Sequence, residues 1–294
     1  MRINSISGLK DLLKETSNIG IIGHKNPDGD ALGSTLGLHF FFKELGFHSQ
    51  VIMPNAFPEF LKWLPGSESI LSFDSKPSLC EEVLEGSDVV FTLDFNDLER
   101  TGRLGEVLKT LDTTFVMIDH HQQPADYAKY QLVDTEIAST CELVHEYITT
   151  EYGNTKLNKN IATCLYTGIM TDTGSFRYPL TSSKTHRIIA NLIDAGAPNS
   201  QIHQNTFDNN NESRLHLLGQ ALQNLKVLKD YKTAYIYLSQ EDLNTNNFKK
   251  GDTEGFVNYA LSLKGIRLAL IFIENKEENI IKISMRSIGG FDVN

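Results

Sequence analysis

The stretch Ile19-Gly20-Ile21-Ile22-Gly23-His24-Lys25-Asn26-Pro27-Asp28-Gly29-Asp30-Ala31-Leu32-Gly33-Ser34 holds the plan of the whole chain. Its first five residues carry no charge and read as a buried strand. Its middle is a turn tightened by Pro27 and Gly29. Its end runs into an apolar helix-forming stretch, Ser34 to Leu45, that Gly46 stops. A strand, a polar loop and a helix in that order make one unit of a parallel sheet, and the alternation recurs downstream. Ser49 to Met53, Asp88 to Leu93 and Thr114 to Ile118 read as strands. Ile137 to Glu151, Asn160 to Met170 and Ser183 to Ala195 read as helices, the last closed by Gly196. The expected fold is α/β, a doubly wound, mostly parallel sheet over residues 1–200. Phe207-Asp208-Asn209-Asn210-Asn211-Glu212 is the most polar, turn-rich stretch and marks a linker over 201–215. A helix from Arg214 to Leu228 and strands at Thr233 to Leu238, Gly265 to Glu274 and Ile280 to Arg286 then make a smaller α+β domain with a mixed sheet, over 216–294.

The length of 294 residues agrees with two domains of roughly 100–200 residues each. No apolar run approaches the roughly 20 residues of a membrane helix, so no membrane partner is expected. The start, Met1-Arg2-Ile3-Asn4-Ser5, lacks the pattern of a secretory signal, and the reading is cytoplasmic. Cys80, Cys141 and Cys164 are scattered without CxxC spacing, which suggests neither a disulfide framework nor a zinc ribbon. With 27 basic and 37 acidic side chains the net charge is −10, the wrong sign for gripping long duplex nucleic acid. Short or mononucleotide phosphates remain accessible where metal ions supply positive charge locally.

Four segments carry the chemistry. His24, Asp28 and Asp30 share the tight loop after the first strand, and Asp94 closes the strand that begins at Asp88. Asp119-His120-His121 closes the next strand, and Asp172 stands where a helix gives way to a loop. Ligands of open α/β sheets bind outside the carboxyl ends of the strands, where three of these segments fall. Taken singly, an Asp-Gly-Asp is a solvated turn, a lone histidine a satisfied one, and an aspartate after a strand a helix cap. Taken together, His24, Asp28, Asp30, Asp94, His120 and Asp172 can meet in one cleft. Four carboxylates so placed raise one another's pKa unless cations neutralise them. Carboxylates and imidazoles without thiolate suit manganese, or less selectively iron, cobalt and zinc. Six ligands with one shared carboxylate suggest two ions about 3.5–4 Å apart, a geometry used for in-line attack at phosphorus.

These residues resemble a known family. His24-Lys25-Asn26-Pro27-Asp28-Gly29-Asp30, Asp94, Asp119-His120-His121 and Asp172 are similar to the four motifs of the DHH phosphoesterases. The resemblance covers nearly the whole chain, as a DHH domain followed by a DHH-associated domain with the active site in the cleft between them. Asn26 to Ser34 and Thr171-Asp172-Thr173-Gly174-Ser175-Phe176 look most like the branch of bacterial nanoRNases that are also phosphoadenosine phosphate (pAp) phosphatases. The resemblance implies one manganese on His24, Asp28 and Asp94 and a second on Asp30, Asp94, His120 and Asp172, with Asp94 bridging. It implies a water between the ions as nucleophile, Asp119 orienting an imidazole, and His121 facing the scissile phosphate. Ser34 and Arg100 are candidates for phosphate contact, although an exposed surface role is the default for Arg100.

In the second domain Ser284-Met285-Arg286-Ser287 matches the family's strand-borne arginine motif, which makes Arg286 a substrate-binding candidate. Family members continue into a helix and a glycine-rich GGGH segment that binds substrate. Here the sequence stops at Gly289-Gly290-Phe291-Asp292-Val293-Asn294, so either the domain ends early or a tail is missing. The expected activity is hydrolysis of short oligoribonucleotides and of pAp. A linear or cyclic dinucleotide phosphodiesterase would use the same core. A family II pyrophosphatase is disfavoured by the absence of a Ser-Arg-Lys-Lys motif, and a RecJ-like exonuclease by the short chain. A non-catalytic nucleotide-binding protein is opposed by the intact set of six ligands. The spread of apolar residues permits a homodimer without requiring one.

Overall fold

Every expected strand has a counterpart in the computed structural model, which describes residues 1–249, 251–289 and 293. The reading of the chain end at Gly290, Phe291, Asp292 and Asn294 lies outside those residues. The chain divides into two units, Met1–Thr206 and Phe207–Asn294. In the first, β1 (Arg2–Asn4), β2 (Asn18–Ile22), β3 (His48–Met53), β4 (Leu71–Ser72), β5 (Val89–Leu93), β6 (Thr114–Asp119) and β7 (Tyr130–Asp134) form one sheet in the order β1-β7-β6-β5-β2-β3-β4. All neighbours run parallel except β1, which pairs antiparallel with β7 at the edge.

Side chains alternate across a strand, so an uncharged strand feeds two cores at once. Ile21, Val51, Phe91, Val116 and Ile118 enter one core with α1 (Leu9–Lys14), α2 (Gly29–Glu44), α5 (Thr140–Tyr152), α6 (Lys159–Asp172) and α7 (Ser183–Asp194). Ile22, Ile52, Val90 and Met117 enter the other with α3 (Pro77–Glu85) and α4 (Arg103–Leu108). That is the doubly wound arrangement.

The helix expected from Ser34 begins five residues earlier. Asp28 caps it, its Oδ1 accepting the N–H groups of Asp30 at 3.0 Å and Ala31 at 3.1 Å. Asp30 therefore sits in the first turn of α2 and not in the loop. The glycines that disguise this helix serve its packing. A side chain on Gly33 would place Cβ 2.5 Å from the Cys164 carbonyl, and one on Gly29 would meet Thr171 Oγ1 at 2.2 Å. Backbone contact brings α2 and α6 together antiparallel, with the start of one beside the end of the other.

A helix α8 (Asn199–Phe207) occupies much of the expected linker, anchored by the buried Ile202; only residues 208–211 separate it from α9 (Glu212–Gln223). In the second unit β8 (Lys226–Leu228), β9 (Thr233–Leu238), β10 (Leu268–Asn275) and β11 (Ile280–Ser287) make a mixed sheet in the order β11-β10-β9-β8. Its core joins Leu217 and Ala221 of α9, Leu243 of α10 (Gln240–Thr245) and Phe256, Val257 and Ala260 of α11 (Phe256–Leu261) to Ala234, Ile236, Ala269 and Ile271. Among the described residues no helix is long and apolar enough to cross a membrane.

Candidate metal centre

The chain leaves β2 outward to β3 and β4, and leaves β5 the other way to β6 and β7. The carboxyl ends of β2 and β5 thus flank the point where strand order reverses, where open α/β sheets bind ligands. His24 follows β2, Asp94 follows β5, and Asp119-His120-His121 closes β6. The α2–α6 contact adds Asp30 from the first turn of one helix and Asp172 as the last residue of the other. All four segments converge.

Asp94 is the centre of the group. It is buried, and at φ 65° its backbone is left-handed, a conformation that turns the chain sharply off β5. Its Oδ2 lies 3.5 Å from His24 Nε2 and its Oδ1 lies 3.5 Å from His120 Nε2. His24 Nε2 is also 3.8 Å from Asp28 Oδ1, and His120 Nε2 is 3.5 Å from Asp172 Oδ2 and 4.0 Å from Asp30 Oδ2. Each imidazole is fixed from behind: His24 Nδ1–H donates to the Lys25 carbonyl at 2.9 Å and His120 Nδ1–H to the Ile137 carbonyl at 3.4 Å. Both therefore turn Nε2 toward the carboxylates, as metal-ligating histidines do. Three sets of donor atoms each lie within 4.8 Å of one another: His24, Asp28 and Asp94; Asp30, His120 and Asp172; and Asp94, His120 and His121.

The charges in this cluster are of a kind that bound cations balance. Burial raises the Asp30 carboxyl well above the usual range, and Asp94 and Asp172 raise it further. Burial likewise pushes Asp172 up to about 7. Burial also disfavours charge on the imidazoles, yet Asp28 and Asp94 push His24 up to about 10, and Asp94, Asp30 and Asp172 push His120 up to about 11. The Asp94 carboxyl, despite its burial, is held far below its ordinary value by His120 and His24. A site that draws protons so strongly onto neutral bases has the charge complement of divalent metal. Beside it, burial keeps the Cys141 thiol protonated, so thiolate is absent from the donor set and a hard ion fits.

Asp119, at the end of β6, is fully buried, and His121 Nδ1 lies between it and Asp94 Oδ1, 3.8 Å from the latter. Asp119 Oδ1 accepts the His121 Nδ1–H at 2.8 Å, while its Oδ2 is buried without a partner. His121 remains 30% exposed, with its ring against His120 at 4.7 Å between centroids. Ser34 is completely buried and its hydroxyl donates to the Ala31 carbonyl at 3.3 Å, so it offers no surface to a phosphate. Arg100 has an exposed side chain, and its carbonyl accepts the Lys25 N–H at 2.9 Å. Arg286 is exposed on β11, the edge strand of the second unit, where its Nη1 donates to the Met285 carbonyl.

Two supports were missed in the sequence. Asn55, after β3, accepts the Asn26 N–H at 2.7 Å and donates to the Asn26 side chain at 3.0 Å, which holds the loop between His24 and Asp28. Its place at a strand's carboxyl end was the available signal. Thr140 donates its hydroxyl to Asp94 Oδ1 at 3.0 Å, and the Ser139-x-x-Glu142 spacing signals the helix start that positions it.

The chain is similar to known proteins in sequence and in fold. Residues 18–169 match the DHH family, N-terminal domain. The chain is 29% identical over 272 residues to the bifunctional oligoribonuclease and PAP phosphatase NrnA of Thermus thermophilus, spanning 92% of this chain and 76% of that protein. It is 27% identical over 270 residues to the protein of the same description from Bacillus subtilis, spanning 90% and 80%. The crystal structure of an exopolyphosphatase-related protein from Bacteroides fragilis has a TM-score of 0.95 to this fold at 39% identity, covering 98% of this chain and 84% of that one. A family match over more than half the chain, joined to a solved relative alike over nearly all of it, shows that the chain belongs to the DHH family.

Proposed function

We propose that this chain is a manganese-dependent phosphohydrolase that degrades short oligoribonucleotides to mononucleotides and converts pAp to AMP. The observation that carries the reading is the buried Asp94 carboxylate, which turns one oxygen to His24 and the other to His120, each at 3.5 Å, as a ligand shared by two ions must. The substrate class is supported by the activities named for the Thermus and Bacillus relatives. The net charge of −10 favours short substrates over long strands.

His24, Asp28 and Asp94 would hold one ion, and Asp30, Asp94, His120 and Asp172 the other. When bound, the pair supplies Lewis acidity and lowers the pKa of a water at the site. His121 does the work of a side chain aimed at substrate. Asp119 fixes its proton on Nδ1, so Nε2 is the atom free to meet a phosphoryl oxygen or exchange a proton with it. Asp119 orients the ring, and its burial prevents water from competing for that bond. Arg286 offers the two-pronged phosphate contact that lysine would not reproduce.

The test is incubation of the purified protein, with manganese and with excess chelator, against pAp, a dinucleotide, a five-nucleotide RNA and pyrophosphate. Manganese-dependent release of mononucleotides, or of phosphate from pAp, is expected and is abolished in Asp94→Ala. Cleavage of pyrophosphate alone would move the protein to another branch of the family. Tight nucleotide binding without turnover in excess manganese would make it a binding protein.

A further inference from the structure

Thr140 belongs to no expected ligand or substrate contact, yet it touches Asp30 and Asp94, the two most buried of the expected ligand carboxylates. It is fully buried and is the first residue of α5, after the Ser139 cap whose hydroxyl oxygen accepts the Glu142 N–H. Its hydroxyl donates to Asp94 Oδ1 at 3.0 Å, and its backbone N–H donates to Asp30 Oδ2 at 2.6 Å. The next N–H, of Cys141, donates to Asp30 Oδ1 at 3.0 Å. A single residue thus ties the aspartate that follows β5 to the aspartate in the first turn of α2.

Each bond leaves its carboxylate able to bind further. A carboxylate oxygen accepts at two positions. Thr140 takes one on Asp94 Oδ1 and leaves the side of that oxygen that faces His120 Nε2 at 3.5 Å. The terminal torsion of aspartate is broad and roughly two-fold, so without a fixed donor the plane of the carboxylate is free to turn. Asp30 has no such freedom, because two N–H groups at the start of α5 hold both its oxygens and stabilise its charge.

We propose that Thr140 is a positioning residue for the metal centre, its hydroxyl setting the plane of Asp94 while its N–H sets Asp30. The inference rests on the metal-binding reading above and adds to it a residue that touches neither metal nor substrate. Manganese affinity of Thr140→Val, Thr140→Ala and Thr140→Ser, measured by calorimetric titration of the metal-free protein, tests it. Loss of an outer partner of a ligand typically costs about 10–100-fold in metal affinity, and that loss is expected for valine and alanine. Serine retains the hydroxyl and should stay within about threefold of the parent protein. Turnover of the valine variant should recover as manganese is raised, with KM for substrate unchanged. A folded valine or alanine variant that binds manganese as the parent does overturns the proposal. So does a serine variant as impaired as valine, since packing of the methyl group would then be decisive. A parent protein that binds no manganese overturns the metal reading itself, a result distinct from either.

Discussion

Replacing Gly168 with alanine tests how two helices deliver the centre. In an ordinary helix interior the exchange stabilises by about 1 kcal/mol, because glycine loses more backbone freedom on folding. Here the new Cβ would lie 2.2 Å from Cys141 Sγ, 2.9 Å from Asp30 Oδ1 and 3.1 Å from Asp30 Cα. Neither a backbone carbon nor a carboxylate pinned by two N–H groups can swing aside, so α6 must back away from α2. Overpacking of this kind costs about 1–3 kcal/mol, and with such rigid neighbours the upper end applies. The net is a loss of about 2 kcal/mol, or a melting temperature lower by roughly 4–8 °C for a unit of this size. The displacement also carries Asp172 away from His120, so manganese affinity should fall with stability. Gly219 in α9, which has nothing within 4 Å of its would-be Cβ, provides the control of opposite sign: alanine there should stabilise by about 0.5–1 kcal/mol. Circular dichroism melts of the metal-free variants, followed by manganese titration, measure both effects. A Gly168→Ala protein that melts at or above the parent and binds manganese normally would refute the close-contact reasoning.

Glu142 supplies a pH signature. Its Oε1 accepts the Thr185 hydroxyl, its Oε2 is buried without a partner, and burial raises its pKa from an ordinary 4.5 to about 7. The folded state therefore holds this proton more tightly, and the associated stability is present below pH 4.5 and lost as pH rises through about 7. Relative to Glu142→Gln, the parent should lose on the order of 3 kcal/mol across that window; parallel stability curves for the two proteins would dismiss the idea. Manganese should stabilise the protein by about 2.7 kcal/mol at a hundredfold excess over Kd, reversibly with chelator. An equal gain in Asp94→Ala would mean that the ion sits elsewhere.

The central strands were legible because β2, β5 and β6 are buried on both faces and leave charge-free runs. The outer elements were not. β1 is three residues long with two exposed ends, and its pairing with β7 depends on a segment far away in sequence. The start of α2 was hidden because Gly29 and Gly33 read as loop residues, whereas each answers to the approach of α6, which sequence spacing does not encode. The expected helix at Arg214 to Leu228 gave way to strand at Lys226–Leu228, where pairing with β9 overrides local pattern. Of the centre, the acidic and imidazole side chains were readable from their residue types and their place after strands. Asp30 was read in a loop and lies in a helix, with its carboxylate near His120 and Asp172. Thr140 escaped notice because a hydroxyl at a helix start is unremarkable until the carboxylate it serves is known.

The donors of the centre come from four stretches of chain between His24 and Asp172, and none sits beside all of its partners in sequence. This gives the centre a high contact order: β2, β5, β6, α2 and α6 must all be assembled before the donors face one another. A zinc finger's metal can organise a short unfolded segment; an ion arriving here finds no site until the sheet has formed. Metal uptake at this cluster would therefore be a late step of maturation that reports on completed folding. During synthesis the growing chain has no complete centre until α6 has emerged and packed against α2.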